Sequence, residues 1–377
     1  MKRYVIIAGE TSGDQYGSQL MSAINQISNE DVEFWGVGGD DMLNGGLNQL
    51  EKDHNLSVVG FSEAFKKIPY MSILSKRLLQ FICEVKPSRV ILIDFPGFNL
   101  NLAKKIKSQS PQTKINFFIS PQIWAWNEKR IHIIKKCVDQ MIVIFPFEEK
   151  YYRDKNINAK YVGHPFLDSW RPSSKKVLKT QLNLSLKKKI VGIFPGSRKQ
   201  ELERHLPTYL EMANQLIKNN RNIECAIGLA PGFDAKKIKN QYNISKIKMV
   251  SDKPLNLLES CDVALVTSGT ISLQASFMNV PCVVAYKLSK LSGYISKLLI
   301  KVEYISMANI VADKKIIPEL IQKDVNVDNL ILEINRLLAD SKYYKSIKND
   351  LKIMKNSFLN KSNAMRNAAK TIINEKN

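Results

Sequence analysis

The strongest constraint on the fold is a regular alternation of short apolar runs with longer amphipathic stretches. Mainly apolar runs of strand length occupy residues 4–8, 34–37, 89–93, 115–119, 141–145 and 160–162. Stretches with helical periodicity lie between them. In residues 15–27, for example, Leu20, Ala23, Ile24 and Ile27 recur on one face. Strands that alternate with helices predict a parallel sheet covered on both faces.

A second series of strands and helices begins after residue 189. The stretch 171–189 interrupts the alternation with Pro172, paired serines and many lysines, which is typical of a linker. Mainly apolar runs resume at residues 190–194, 223–228, 247–250, 262–266 and 282–286. A chain of 377 residues is also longer than one hydrophobic core usually supports. We therefore predict an α/β protein with two Rossmann-like, doubly wound domains facing a cleft, at residues 1–170 and 190–345.

The formal net charge of +21 bears on the class of partner. A basic field attracts nucleic acid, anionic membranes and acidic substrates, and lysines spread over solvated faces by a compositional bias would give the same charge. The sequence has no zinc finger, RGG tract or basic stretch with interleaved aromatic residues, so we expect no nucleic-acid partner.

Location and redox state also follow from the sequence. No apolar run has the length that crosses a bilayer, and Gly9-Glu10 interrupts the first one, so we expect a cytoplasmic protein. The five cysteines are scattered and mostly lie in apolar company, which indicates reduced core residues and argues against disulfides and a zinc site.

Ligands of Rossmann-like domains bind at the carboxyl ends of the strands, so polar residues there are candidates. In the first half these are Gly9, Glu10, Ser12, Gly13, Asp14, Asp94, Asn99, Ser120, Trp124 and His164. For His164 we favour a positioning or packing role over that of a base. The Trp124 ring suits either stacking on a sugar or wedging between loop and core. His205 has the pattern of a surface or helix-face residue.

The second half offers two anion sites. One apolar strand ends in Pro195-Gly196-Ser197-Arg198, where Gly196 permits close approach of a ligand, Ser197 offers a hydroxyl and Arg198 presents a fork that matches phosphate. An ordinary turn with a surface arginine is the alternative. The other site is Ser268-Gly269-Thr270, because the start of a helix supplies unpaired N–H groups and a positive dipole end. Gln274 follows one turn later, within reach of a sugar hydroxyl.

Six motifs in order resemble those of the lipid-A-disaccharide synthases across nearly the whole chain. The motifs are Gly-Glu-Thr-Ser-Gly-Asp at 9–14, Ser-Pro-Gln-Ile-Trp-Ala-Trp at 120–126, Gly-His-Pro at 163–165, Pro-Gly-Ser-Arg at 195–198, Ser-Gly-Thr at 268–270 and Tyr-Ile-Ser-Met-Ala-Asn at 304–309. Each motif alone is weakly specific, whereas six in this order form a strong match.

The resemblance implies an inverting GT-B type glycosyltransferase that needs no metal or cofactor. Its substrates would be UDP-2,3-diacylglucosamine and 2,3-diacylglucosamine 1-phosphate (lipid X), and its products the β-1,6-linked lipid A disaccharide 1-phosphate and UDP. Such a transfer needs a base for the attacking 6-hydroxyl and positive charge for the departing diphosphate. Arg198 and the 268–270 helix start are our candidates for the second role. The resemblance also points to Arg198, and it implies Asn309 in the nucleotide site.

The chain departs from the family pattern at two positions. Some members have an aspartate, considered as the base, where this chain has Gly97, so we assign the base to Asp94, with Glu10 and Asp14 as rivals. The structural alternative is that Asp94 caps the following helix or holds the loop. Gln274 stands where the family usually has a glutamate that contacts ribose, and its neutral amide predicts weaker nucleotide binding.

Two further expectations concern surfaces. Residues 61–79 mix large apolar side chains with lysines and arginine, which suits a helix on an anionic bilayer, although a core-packing helix has the same pattern. Because the substrates carry acyl chains, we favour the membrane, at the inner face of the inner membrane. The family also implies that residues 346–377 return to the first domain or to a partner subunit, which leaves monomer and homodimer open.

Two rival functions remain. A UDP-sugar 2-epimerase has the same architecture and a similar nucleotide site, but it would release free sugar and need no second substrate. A non-catalytic, basic membrane- or RNA-binding protein would explain the charge. Neither rival explains residues 9–14 together with Trp-Ala-Trp at 124–126, so the transferase is preferred.

Overall fold

The computed structural model describes residues 1–50, 61–244, 247–288 and 303–374. The chain divides into two compact units. The first consists of Met1–Ser169 together with Phe358–Asn377, and the second of Trp170–Ser357. Each unit is built around one sheet, and every strand pair in both sheets is parallel. The prediction of two Rossmann-like α/β units is confirmed.

The first unit has a seven-stranded sheet of order β3-β2-β1-β4-β5-β6-β7. Its strands are β1 (Lys2–Ala8), β2 (Val32–Val37), β3 (Leu47–Gln49), β4 (Arg89–Ile93), β5 (Ile115–Phe118), β6 (Gln140–Val143) and β7 (Ala159–Tyr161). The helices between and after these strands are α1 (Thr11–Ile27), α2 (Asp40–Asn44), α3 (Phe61–Val85), α4 (Pro96–Gln109), α5 (Ile123–Trp126), α6 (Ile131–Cys137), α7 (Pro146–Arg153) and α8 (Pro165–Ser169). A 3-10 turn, Glu128–Arg130, leads into α6.

The second unit has a six-stranded sheet of order β10-β9-β8-β11-β12-β13. Its strands are β8 (Lys189–Phe194), β9 (Ile223–Gly228), β10 (Lys248–Val250), β11 (Val263–Val266), β12 (Cys282–Tyr286) and β13 (Glu319–Ile321). The described helices are α9 (Lys175–Gln181), α10 (Lys199–Asn219), α11 (Ala235–Gln241), α12 (Pro254–Ser260), α13 (Thr270–Phe277), α14 (Met307–Ala312), α15 (Val327–Ala339) and α16 (Ser341–Asn356). A 3-10 turn, Gln322–Asp324, follows β13.

The central strands are buried on both faces, which explains their continuous apolar runs. All five residues of β4 and all four of β11 are buried. A parallel strand covered by helices on both sides needs apolar residues at every position and not at alternate ones. The sheets therefore supply two rigid edges from which the loops at the strand ends project.

The boundary between the units lies at Ser169 and Trp170, and residues 171–189 belong to the second unit. This stretch has the composition of a linker, but it contains α9. Side-chain and backbone groups in and before α9 are bound to α12 and to Asp262, which follows α12. The Ser173 N–H donates to Glu259 Oε1 at 2.7 Å, and Lys179 Nζ lies 3.3 Å from Asp262 Oδ2.

The last helix, α17 (Ala364–Asn374), belongs to the first unit and packs against α1. It buries Ala364, Ala368, Ala369 and Ile372. The Asp168 carboxylate accepts from the N–H of Asn363 at 2.8 Å and from the N–H of Ala364, so it caps the start of α17. The return to the first unit begins at Phe358, whereas α16 stays in the second unit.

Helix α3 covers the stretch for which we predicted membrane contact. The side chains of residues 61–68 lie outside the described residues. Beyond them, Leu74, Leu78 and Ile82 are buried at helical spacing, so this face packs into the core. Ile73 is 52% exposed. Among the described helices, none is both long enough and apolar enough to cross a membrane.

Candidate functional site

Each sheet has one point where the strand order reverses, and the predicted motifs flank both points. In the second sheet the reversal lies between β8 and β11, whose ends lead into residues 195–198 and 267–270. In the first sheet it lies between β1 and β4, whose ends lead into residues 9–10 and 94–95. Connections leave such a pair of strands on opposite faces, so a crevice opens between the loops. Both crevices are candidate ligand sites.

The loop at 195–198 is held by a residue that we did not predict, Glu201. Its Oε2 accepts from the N–H of Ser197 at 3.0 Å and from the N–H of Arg198 at 3.4 Å. Its Oε1 accepts from the Tyr286 hydroxyl at 3.0 Å. Gly196 has φ 121° in this turn, and a Cβ there would lie 2.6 Å from Glu201 side-chain atoms, so only glycine suits the position. A phosphate that bound to these N–H groups would have to displace the Glu201 carboxylate.

The Arg198 side chain is more than half exposed at the edge of the second sheet. Its Nη1 lies 3.5 Å from Glu201 Oε1, a long contact for an ion pair, with 55% of the arginine side chain exposed. The planar guanidinium can therefore present several N–H donors to an incoming anion. Of the groups in this loop, the Arg198 side chain is the best suited to meet a phosphate.

His205 ties the same loop to the end of β12. Its Nδ1 lies 3.1 Å from the Pro195 carbonyl oxygen, and its Nε2 accepts from the Lys287 N–H at 2.9 Å. These partners require a neutral ring with the proton on Nδ1, and burial lowers the pKa of His205. His205 lies on a face of α10, as one of the two predicted alternatives had it, whereas the surface alternative was wrong because the ring is fully buried and stacked on Tyr209.

The second loop of this crevice, residues 267–269, leads into α13. Gly269 precedes the helix with φ 138°, and both Gly269 and Thr270 are exposed. The Ser268 hydroxyl donates to the Ile305 carbonyl oxygen at 2.9 Å, which fixes this loop to residues 305–306. The first N–H groups of an eight-residue helix lack intrahelical partners and carry the positive dipole end. Gln274 lies one turn into α13 and is half-buried.

Asn309 lies in a buried network with Glu319 rather than at an open surface. Its Nδ2 donates to the Ile317 carbonyl oxygen and to Glu319 Oε1, and its Oδ1 accepts from the N–H groups of Ile316 and Ile317. Glu319 also accepts from the N–H groups of Ile305 and Ser306, at 3.0 and 2.8 Å. The Asn309 amide thus shapes the loop that Ser268 contacts.

We expect Asn309→Ala to destabilise the fold. The change leaves two buried N–H groups and a carbonyl without their partner, so the free energy of unfolding should fall by about 3 kcal/mol. Urea denaturation of the full chain measures this fall. Asn214→Ala, at an exposed asparagine of α10, should change it by less than about 0.5 kcal/mol. Equal denaturation midpoints for the wild-type protein and Asn309→Ala would contradict a structural role of this amide.

In the first unit, the Asp14 carboxylate is already bound by backbone N–H groups. It accepts from the N–H groups of Gly39 at 2.7 Å, Met42 at 3.0 Å and Asp41 at 3.1 Å, so it caps α2 from a distant part of the chain. Glu10 and Ser12 are half-buried at the start of α1, and Gly13 is buried against Ala8. Gly9 contacts the Phe95 ring, which joins the loops after β1 and β4.

Backbone strain concentrates around Asp94. Asp94, Phe95 and Ile119 all have positive φ, at 45°, 49° and 63°. This conformation is costly for a bulky or β-branched residue and often marks a functional site. Asn99 supports the turn, since its Nδ2 donates to the carbonyl oxygens of Ile93 and Asp94 at 3.2 and 2.8 Å.

The N-cap residue of α4 is Phe95 and not Asp94. Asp94 itself is half-buried. A Cβ built at Gly97 has no atom within 4 Å among the described residues, so the position has space for a Cβ.

Ser120 and Trp124 converge on a buried carboxylate that we did not predict. Glu148 Oε1 accepts from the Ser120 hydroxyl at 2.6 Å and from Trp124 Nε1 at 3.2 Å. Burial raises the pKa of Glu148 to about 7, and the charge of Asp94 acts in the same direction. The Trp124 ring packs edge-on against Phe147. The Trp126 side chain lies outside the described residues.

His164 is a packing residue of the first unit. Its ring contacts Phe145 and Phe358 edge-on, and its Nδ1 accepts from the Phe166 N–H at 3.2 Å. Burial lowers the pKa of His164 to about 3, so the ring is neutral at physiological pH. Among the described residues, no group of three His, Cys, Asp or Glu side chains could hold a metal ion.

Comparison with known proteins gives a consistent result over the full length. A family model described as lipid-A-disaccharide synthetase matches residues 4–375. The lipid-A-disaccharide synthase of Trichlorobacter lovleyi is 36% identical over 345 residues, covering 91% of this chain and 89% of that protein. The enzyme of the same name from Coxiella burnetii is 33% identical over 374 residues, covering 99% and 98%.

Solved structures with the same fold are more distant in sequence. A Staphylococcus aureus MnaA–UDP complex aligns with a TM-score of 0.67 and 11% identity, covering 99% of this chain and 97% of that one. A UDP-GlcNAc 2-epimerase from Neisseria meningitidis bound to UDP-GlcNAc aligns with a TM-score of 0.60 and 11% identity, covering 96% and 100%. At this identity the likeness concerns the fold alone.

Proposed function

The chain belongs to the lipid-A-disaccharide synthase family and is a glycosyltransferase that forms the lipid A disaccharide, and from this premise we propose its substrates and the roles of its residues. The donor is UDP-2,3-diacylglucosamine and the acceptor is 2,3-diacylglucosamine 1-phosphate. The oxygen of the acceptor 6-hydroxyl forms a bond to the anomeric carbon of the donor. The bond from that carbon to the diphosphate breaks, and its electron pair leaves with UDP.

The second unit stabilises the leaving group. The observation that carries this assignment is the pairing of the Arg198 loop with the 268–270 helix start at the strand-order reversal of the second sheet. The exposed guanidinium of Arg198 supplies positive charge, and the first N–H groups of α13 supply donors, where negative charge develops on the diphosphate. Gln274, one turn further along α13, binds a hydroxyl of the ribose, and Ser197 contributes its own hydroxyl.

The first unit activates the acceptor. Asp94 stands at the strand-order reversal of the first sheet, in a strained turn, and takes the proton of the attacking hydroxyl. Asp14 is a weaker candidate for the base because its carboxylate already accepts three backbone N–H groups. Glu10 remains the rival. Gly9, Ser12, Gly13, Asn99 and Ser120 shape the acceptor side.

The epimerase alternative is tested by leaving out the acceptor. With both lipids present, the purified protein should release UDP and form disaccharide in equal amounts. With the UDP-linked lipid alone, it should release almost no UDP. Acceptor-independent release of UDP and free sugar would instead support an epimerase.

Contact with an anionic membrane is part of the proposal, because both substrates carry acyl chains. The support is α3, whose inner face packs into the core while Ile73 stays 52% exposed. Its lysines and Arg77 suit the surface of the inner leaflet. We place the protein at the inner face of the inner membrane on this ground.

We expect Ile73→Glu to weaken sedimentation with anionic vesicles at low salt by about tenfold, because it puts a negative charge on an apolar contact. Val177→Glu is the matched control, since Val177 is 50% exposed in the second unit and should leave binding unchanged. Equal vesicle binding by the wild-type protein and Ile73→Glu would remove this helix from the proposed membrane contact.

Homodimerisation by exchange of C-terminal parts is the remaining partner proposal. Within one chain, α17 packs on α1 of the first unit. In a dimer that exchanges C-terminal parts, α17 of one chain would pack on α1 of the other. This requires only that the chain just before Phe358 lead to the second copy. Light scattering with size-exclusion chromatography distinguishes the two states.

A further inference from the structure

Glu148 carries a feature that the proposed roles do not use. The residue is 1% exposed and lies in the first turn of α7, directly beyond the end of β6. One carboxyl oxygen, Oε1, is bound by Ser120 and Trp124. The other, Oε2, is buried and has no hydrogen-bond partner within the described chain. A buried oxygen left in this state is costly when it is charged, which favours the protonated carboxyl.

One titratable neighbour of Glu148 adds to that preference. Asp94 acts on it from the end of β4, whereas Tyr152, in the next turn of α7, has its own pKa raised by Glu148. The Tyr152 hydroxyl donates to the Pro121 carbonyl oxygen at 3.1 Å, and burial raises its pKa, so it stays neutral. His164, which contacts Phe145 at the start of α7, is neutral too. Asp94 is therefore the charged neighbour among these groups.

The two carboxyl groups have contrasting environments. Glu148 is fully buried, whereas Asp94 is half-buried on the edge of the sheet. When neighbouring acids differ in this way, the more exposed one ionises and the buried one keeps the proton. Asp94 can then serve as a base while Glu148 remains an acid.

We propose that Glu148 is a positioning residue for the transfer, a neutral carboxyl that lets Asp94 stay ionised and holds Ser120 and Trp124 at the edge of the first sheet. The inference rests on the proposed role of Asp94 as base. In the reaction Asp94 takes the proton of the acceptor hydroxyl, and Glu148 keeps its own proton throughout. Ionisation of Glu148 would place a second negative charge beside the base and oppose the approach of the acceptor, which is itself an anion.

The sign of the pH dependence follows from the raised pKa. Glu148 is neutral below about pH 7 and ionises above it. We expect kcat/KM of the wild-type protein to fall about tenfold per pH unit once Glu148 ionises. Glutamine cannot ionise but accepts the same two hydrogen bonds, so Glu148→Gln should remove this alkaline fall. Glu148→Ala loses the acceptor for Ser120 and Trp124 and should be impaired at every pH, with glutamine restoring the activity at acid pH.

The test is a kcat/KM profile from about pH 5.5 to 9 for these variants, on anionic vesicles that contain both lipids. Glu149→Gln, at the next residue of α7 and in an ion pair with Arg153, is the matched control and should keep the wild-type profile. A folded Glu148→Gln that keeps the alkaline fall, or that is inactive at acid pH, overturns the proposal. Absence of disaccharide formation by the wild-type protein would instead overturn the proposed function.

A second variant covers the case in which Glu148→Gln does not fold. The Trp124 hydrogen bond stabilises the ionised form of Glu148 and so lowers its pKa. Trp124→Phe removes that donor, and the alkaline fall should move to higher pH by about half a unit or more. An unmoved fall in folded Trp124→Phe overturns the proposal.

Discussion

Replacing Arg198 with alanine is expected to lower kcat for disaccharide formation by about 10²- to 10³-fold. The guanidinium is more than half exposed beside the α13 start, where the leaving diphosphate would gain charge. A preorganised charge of this kind acts most strongly in the transition state, so kcat should fall more than KM rises. Initial rates with both lipids held in mixed micelles measure the effect. Arg198→Lys should recover only part of it, because lysine keeps the charge and loses the planar fork.

The adjacent cation provides the control. Lys199 is the next residue, its side chain is 84% exposed and its nearest carboxylate is Glu203. Lys199→Ala removes the same formal charge from the start of α10 and should leave kcat within about twofold of wild type. If Lys199→Ala and Arg198→Ala lose activity equally, the effect reflects the general basic field and not a specific contact with the diphosphate.

Replacing Asp94 with asparagine should lower kcat by about 10²- to 10⁴-fold with little change in KM. The substitution keeps the size of the side chain and the αL conformation, which asparagine tolerates, while it removes the base. Near-normal turnover by Asp94→Asn, with Glu10→Gln strongly impaired, would transfer the role of base to Glu10.

Asp14→Asn separates chemistry from structure. The Asp14 carboxylate accepts from three backbone N–H groups around α2, so this change should reduce stability. We expect a lower thermal midpoint for Asp14→Asn, and a kcat that is close to wild type at temperatures where the variant is folded. Loss of kcat without loss of stability would return Asp14 to the list of candidate bases.

The fold was predictable because both sheets are parallel and buried on both faces. β11 is therefore an uninterrupted apolar run, and β4 is one after its first residue, Arg89, so both are easy to locate in the sequence. The structure of residues 171–189 was harder to predict. The stretch has the composition of a linker, but Ser173 and Lys179 are bound to Glu259 and Asp262, more than 80 residues later in the chain. Such contacts leave no local pattern in the sequence.

The loops of the candidate site could be predicted from the sequence, but the side chains that bind those loops could not. Arg198 and Asp94 follow strands directly, so their position at the sheet edge follows from the alternation of strands and helices. Glu148, Glu201 and Glu319 reach the loops from other elements. An acidic residue in the first turn of a helix is usually explained by the helix dipole, so nothing in the sequence distinguishes Glu148 from its neighbour Glu149. Glu201, three residues after the helix N-cap, has the spacing of a capping box. It was therefore the easiest of the three glutamates to predict from the sequence.

The proposal that the second unit binds the nucleotide and the first supplies the base is tested most directly by the affinity for UDP. Isothermal titration of UDP into the wild-type protein, Arg198→Ala and Asp94→Asn measures it without the lipids. We expect Arg198→Ala to weaken UDP binding by about 10- to 100-fold, because it loses charge-assisted hydrogen bonds to the diphosphate. Asp94→Asn should bind UDP as the wild-type protein does. Unchanged affinity in Arg198→Ala, or an equal loss in Asp94→Asn, would contradict the assignment of the nucleotide to the second unit and the base to the first.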